Sequence, residues 1–201
     1  MSDYANTFYQ VNRMTSSTGT FDAVVVGSGP NGLAAAITMA RNGYSVKVFE
    51  AADTVGGGTR TKELTLPGFN HDICSAIHPM AAASPFLKTL PLEDYGLKWV
   101  HPTYPLAHPL DNEPAAVLYQ SFSETASALE RDAGNYRTLF EPFVQNWNVL
   151  SEQLLGPFSL LPKTPLLMAR FGLKALQPAE RLAENTFATA RAKALFAGLA
   201  A

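Results

Sequence analysis

Three glycines and one acid carry the first recognisable chemistry in this chain. Gly27, Gly29 and Gly32 stand in the spacing G-x-G-x-x-G within "VVVGSGPNGLAAA", and Glu50 follows eighteen residues after the last of them. The pattern suits a dinucleotide. Gly27 permits a tight turn, Gly29 lets a pyrophosphate approach the backbone with no Cβ in the way, and Gly32 lets a helix pack close to a strand. A helix starting there offers unpaired N–H groups and a partial positive charge to phosphates. Glu50 is placed to accept hydrogen bonds from a ribose 2′-hydroxyl and to repel a 2′-phosphate, which disfavours NADP. NAD and FAD both stay open at this point, because they share the adenosine ribose and the pyrophosphate.

A second glycine run follows in "EAADTVGGGTRT", where Gly56, Gly57 and Gly58 precede Thr59 and Arg60. Such a loop can pass close to a flat ring or a pyrophosphate while Arg60 offsets phosphate charge. Further on, "HDICSAIHP" gathers His71, Asp72, Cys74, Ser75 and His78. The types allow a hydrolase triad, but neighbours in one loop seldom reach its mutual geometry and no nucleophile elbow is present. One cysteine and two histidines in that order fall short of a zinc site, so no metal is expected. His101 and His108, beside prolines, read as structural or solvent-facing, and Trp99 and Trp147 as core aromatics before substrate-cavity ones.

The elements that must position these residues can be read around them. "FDAVVVG" is a short, continuously apolar run rich in β-branched residues, as in a strand buried on both faces of a parallel sheet. Pro30 suits the first helical position. "NGLAAAITMARNG" reads as the helix, stopped at Asn42-Gly43, and "YSVKVFE" as a second strand ending at Glu50. The result is a βαβ unit. The run from Pro79 to Pro114 is turn-rich, with short strands expected at Leu97 to His101 and Ala115 to Gln120. From Ser123 the chain reads as helical, Ser123, Ser127 and Glu130 supplying helix-start chemistry. "FSLLPKTPLLMARFGLKAL" mixes apolar residues with Lys163, Arg170 and Lys174, which fits a cavity-capping helix pair in the substrate domain first and a membrane-surface contact second.

The whole chain bounds these readings. Its 201 residues are 47% hydrophobic and 16% charged, with a formal net charge of −2. Neither a disordered tail nor a nucleic-acid footprint fits that balance. A small molecule or another protein is the expected partner. The single cysteine, Cys74, excludes an internal disulfide framework and fits a reducing compartment, so a cytoplasmic location is expected. The expected division is a polar, disordered leader over 1–20, a dinucleotide-binding unit over 21–82 and a mainly helical substrate domain over 83–201. The apolar ending "LFAGLAA" suggests a packing partner outside the chain.

The stretch "VVVGSGPNGLAAAITMARNGYSVKVFEAADTVGGGTRTKELTLPGFNHDICSAIHP" resembles the N-terminus of the FAD-dependent phytoene desaturase-like oxidoreductases, near the branch of the pyridine nucleotide-disulphide oxidoreductase domain-containing protein 2 group. The resemblance implies an α/β fold with a Rossmann-type FAD-binding unit. It assigns the ADP half of FAD to Gly27, Gly29, Pro30, Asn31, Gly32 and Glu50. Gly57, Gly58, Thr59 and Arg60 then line the path toward the flavin, and His78 is the candidate to position substrate or shuttle a proton. It further implies oxidation of C–C or C–N bonds in a small, apolar substrate by hydride transfer to N5. Enzymes of that kind are much longer, so the chain reads as their front part, or as one chain of a split protein. A non-catalytic dinucleotide-binding or assembly subunit that needs a partner chain is the alternative, and an NAD-dependent dehydrogenase comes third.

Overall fold

The computed structural model describes residues 19–157 and 159–200. Most of the expected leader therefore lies outside the described residues. Two compact units follow one another, the first ending at Pro79 and the second beginning at Met80.

The first unit is built on β1 (Ala23–Val26), α1 (Pro30–Arg41) and β2 (Val46–Phe49). The two strands pair in parallel, Val24 opposite Lys47 and Val26 opposite Phe49. Pro30 occupies the first turn of α1, and Gly29 is its N-cap. The helix stops where the sequence places the stop. The Asn42 amide donates to the Thr38 carbonyl, and Gly43, at φ 88°, turns the chain back. A 3-10 turn (Gly57–Thr59) then leads into an antiparallel hairpin of β3 (Thr61–Glu63) and β4 (Asn70–Asp72).

One expectation fails here. The β1 run reads as buried on both faces, yet α1 covers one face only, and Val24 and Val26 on the other are 56% and 85% exposed. A parallel strand is buried twice only when a second layer packs on it, and no described residue supplies that layer. Lys47 partly shields this face, its ammonium lying over the Phe21 and Phe49 rings.

The second unit opens with α2 (Pro79–Ala83) at the boundary and carries a small hairpin, β5 (Leu106–His108) with β6 (Ala116–Leu118). β6 falls within the stretch expected to be extended. No strand forms at Leu97 to His101, where Trp99 and Val100 are exposed and find no partner strand; the partner of β6 is instead the short run between Pro105 and Pro109. Helices follow: α3 (Phe122–Ala128), α4 (Ala133–Gln145), α5 (Trp147–Leu155), α6 (Pro165–Ala175), α7 (Ala179–Thr186) and α8 (Ala190–Ala200). The start of α3 differs from the reading above, because Ser121 is its N-cap and accepts from the Glu124 N–H, while Ser123 lies inside the helix.

Leu129, Tyr136, Leu139, Phe187 and Leu195 form the core of this unit. His108 is half-buried against α8, where Gly198 leaves the space its ring fills. Pro142 sits inside α4 and has no N–H to give the Thr138 carbonyl four residues earlier. The Arg170 guanidinium, from α6, donates to that carbonyl at 3.0 Å instead. No described helix is long and apolar enough to cross a membrane.

Candidate dinucleotide-binding site

The turn after β1 is set by two glycines with different tasks. Gly27 has φ 91°, a left-handed conformation that costs little only without a Cβ, and its N–H donates to the Phe49 carbonyl at 2.7 Å. A Cβ on Gly32 would lie 2.1 Å from the Gly27 carbonyl oxygen, so α1 can approach β1 this closely only with glycine there. Gly29 is different. Its φ of −67° suits any residue, and a Cβ there would meet nothing nearer than the Gly57 Cα at 3.9 Å. The fold does not need Gly29; an approaching ligand would.

The N-terminus of α1 is correspondingly bare. Gly29 offers no side chain to cap it, Pro30 has no N–H, and no acid lies in the first turn. The Asn31 and Gly32 N–H groups come before the first bonded one, Leu33 to the Gly29 carbonyl, and an anion from outside could take them. Asn31 itself is exposed.

Glu50 closes the other side of the turn. Its Oε2 accepts the Ser28 N–H at 2.8 Å and the Ser28 hydroxyl at 2.5 Å, and its Oε1 accepts the Ala52 N–H at 2.8 Å. The Ser28 hydroxyl above all, then the Ala52 and Ser28 N–H groups, hold this carboxyl at about 2, against an ordinary 4.5. A carboxylate offers about four acceptor positions. Ser28 and Ala52 between them fill three of these.

The second glycine run lies directly on the first. The Gly56 N–H donates to the Ser28 carbonyl at 3.0 Å, and a Cβ on Gly57 would come within 2.9 Å of the Gly29 Cα. Gly56 and Gly57 both have positive φ, 114° and 56°. Thr59 donates its hydroxyl to the Gly56 carbonyl at 2.7 Å, and the Arg60 Nε donates to the Gly57 carbonyl at 2.8 Å, which leaves the terminal amino groups of the guanidinium for other acceptors. Behind the loop, the Ser75 N–H donates to the Gly58 carbonyl and the Ile73 N–H to the Arg60 carbonyl, each at 2.9 Å. The segment around Cys74 is therefore a brace for the glycine loop.

No hydrolase triad forms in that segment. His71 Nε2 bonds the Thr65 hydroxyl at 2.8 Å, Asp72 accepts from Thr61 at 2.9 Å, and His78 Nδ1 meets the Ser75 hydroxyl at 3.3 Å. Among the described residues no three His, Cys, Asp or Glu side chains gather as a metal site. Sequence reasoning passes over Ser28 and undervalues Gly56. Ser28 occupies a free position of the glycine motif, and only its 1% exposure and its three hydrogen bonds mark it as the tie between both glycine loops and Glu50.

Comparison with known proteins agrees with this geometry. Residues 25–90 match the NAD(P)-binding Rossmann-like domain. That stretch is a dinucleotide-binding Rossmann unit. Over 79 residues the chain is 39% identical to pyridine nucleotide-disulfide oxidoreductase domain-containing protein 2 of Rattus norvegicus, an alignment that covers 39% of this chain and 13% of that protein. Over 140 residues it is 27% identical to one of the subunits of limonene dehydrogenase from Castellaniella defragrans, covering 68% of this chain and 24% of that one. Among solved structures, a putrescine oxidase redesigned in its cofactor binding is 25% identical with a TM-score of 0.50, covering 86% of this chain and 35% of its own. The chain thus spans a quarter or less of these two curated relatives and about a third of that oxidase. The α/β fold class, with a Rossmann unit first and a mainly helical part after it, is the one the sequence implies.

Proposed function

We propose that this chain is the FAD-binding front part of a flavin-dependent oxidoreductase that takes a hydride from a small, apolar substrate. The observation that carries the reading is the contact of the two glycine loops, Gly57 against Gly29, beside a carboxylate already fixed by Ser28. A single glycine turn and an acid would serve any dinucleotide. The second loop, seated where a pyrophosphate leaves the helix start, adds a Cβ-free wall suited to a flat ring system beyond the phosphates.

The residues fit the group in kind and in number. The free N–H groups at the start of α1 would take the pyrophosphate, with Gly27, Gly29, Pro30, Asn31 and Gly32 forming the turn around it. Glu50 would take a ribose hydroxyl, and Gly57, Gly58, Thr59 and Arg60 would border the path toward the flavin. Bound there, FAD would supply the redox chemistry, as acceptor of the hydride that leaves a substrate C–H bond when the adjoining C–C or C–N single bond becomes double. His78 is proposed to position substrate. An apolar substrate is in keeping with similarity to a protein named for limonene oxidation. That relative is also named as one chain of a multi-chain enzyme, which favours a second reading: a dinucleotide-binding chain that works only with a partner.

The deciding measurement is the absorption spectrum of the purified chain before and after addition of FAD and desalting. Retained flavin bands support the proposal. A colourless eluate from a chain that binds NADH tightly would overturn it in favour of a nicotinamide dehydrogenase, and a colourless eluate that turns yellow only with a co-purifying polypeptide would establish the partner-dependent reading.

A further inference from the structure

The helices of the second unit border an open-mouthed apolar cavity of about 540 Å³. Leu150 and Leu182, both buried, lie at its floor, and the half-buried rings of Phe143, Phe171 and Phe196 form its walls. Packing alone holds these walls in place. Phe171 of α6 stands edge to face on Phe143 of α4 at 5.6 Å, Phe196 of α8 lies 6.2 Å from Phe140, and Arg170 ties α6 to the Thr138 carbonyl of α4 at 3.0 Å. A space of this size between helices, lined almost wholly by apolar side chains, has the form of a small-molecule site.

Two lining residues carry a polar group, and both groups can only donate: the Lys174 ammonium and the Trp147 indole N–H. Trp147, read from the sequence first as a core aromatic, is instead 37% exposed and lines the cavity. The Lys174 ammonium, itself half-buried, has no acidic partner among the described residues. The residues three and four positions away, Arg170, Phe171, Gln177 and Pro178, include no acid. Acids on the neighbouring helices are engaged elsewhere: Glu141 with Gln145, Glu152 with Lys163, and Glu184 with Lys193. Glu180 borders a different groove, between α7 and α8. A lone cation beside apolar walls is complemented by an anion that brings its own hydrocarbon body. One ammonium balances the single charge of a carboxylate, whereas a phosphate monoester, at about −1.5 to −2, would keep unmatched charge in apolar surroundings.

We propose that this cavity binds an amphipathic carboxylate, its hydrocarbon body against the phenylalanines and its carboxylate at Lys174. The cavity lies wholly within the second unit, so the inference does not rest on the flavin reading.

The test is calorimetric titration of the full chain with dodecanoate and with dodecan-1-ol, both kept below the concentrations at which they aggregate. Dodecanoate should bind saturably, one per chain, and about tenfold or more tighter than the alcohol, since a hydrogen bond between charged groups is worth that much more. Lys174→Met keeps the stem and removes the charge, so it should weaken dodecanoate about tenfold and leave the alcohol unchanged. Ala175→Trp, at an exposed lining position, should fill the mouth and abolish binding of both. Leu166→Ser, on the outer side of α6 and away from the cavity, should change neither. In Trp99→Phe the indole of Trp147 is the only one left, and its emission should shift to the blue as dodecanoate binds. All of these positions are outside the core, and circular dichroism should show unaltered folding. Absence of saturable binding overturns the proposal. So do equal affinities for the acid and the alcohol in the unaltered chain, dodecanoate binding insensitive to Lys174→Met or Ala175→Trp, and binding lost in Leu166→Ser, which would place the probe on the outer leucines.

Discussion

At Glu50 a single side chain ties the turn together and is the one proposed to meet the ligand's ribose. Three short hydrogen bonds from Ser28 and Ala52 fix its carboxylate before any ligand arrives. Binding then costs little ordering of that side chain. Because the folded value is depressed to about 2, the carboxylate's contribution is fully present above its ordinary 4.5 and is lost only as pH falls through about 2. The hydroxyl of Ser28 is the largest cause, so Ser28→Ala should move the Glu50 titration upward toward 4.5, stopping short because the backbone N–H donors of Ala52, position 28 and Ala51 remain. A carbon-13 titration of the glutamate carboxyls, with Glu50 assigned by its loss in Glu50→Gln, reads this directly. An unmoved Glu50 titration would mean that the backbone alone sets it.

At the scale of elements, the turn between β1 and α1 separates what folding requires from what a ligand requires. Gly32→Ala places a Cβ 2.1 Å from a carbonyl oxygen and should cost about 3 kcal/mol through forced movement of α1. Gly29→Ala meets no atom closer than 3.9 Å and should cost under about 1 kcal/mol, the usual difference between glycine and alanine at an N-cap. On the proposed function its effect should fall on FAD retention instead, because the new methyl group would stand in the proposed approach of the pyrophosphate. Thermal melts together with flavin retention distinguish the two, and equal retention by Gly29→Ala and the unaltered chain would remove the ligand's claim on that glycine. These elements were legible because their signals are local: Pro30 opens α1, Asn42-Gly43 closes it, and Glu50 stands directly after β2, which ends at Phe49. The strand expected at Leu97 to His101 was not, because three-residue strands are decided by their partners, and β6 pairs with Leu106–His108 across a proline-flanked loop. Ser121 was legible after all, since Ser121 and Glu124 stand at capping-box spacing.

Across the second unit, one buried acid does what no local pattern foretells. Asp132, fully buried at the start of α4, accepts the Ala188 N–H at 2.9 Å, the Thr189 N–H at 2.8 Å, the Thr189 hydroxyl at 2.6 Å and the Asn135 amide at 3.2 Å. It ties the α3–α4 corner to the chain just before α8, more than fifty residues later. Burial pushes its carboxyl up, and the four donors outweigh burial and hold it at about 2, below the ordinary 3.8. The sign follows: this stabilisation is complete above 3.8 and disappears as pH falls through about 2. Asp132→Asn keeps the shape but turns an amide N–H₂ toward donors, so at least one buried N–H loses its acceptor, at a cost of about 2 kcal/mol near neutral pH. Urea midpoints followed from neutral pH downward should therefore converge for the two proteins as pH approaches 2, because the unaltered chain loses there what the variant never had. All other carboxylates titrate alike in both and cancel from the difference. Parallel curves at every pH would show that Asp132 is held by shape alone and that its charge contributes nothing to closing the helical unit.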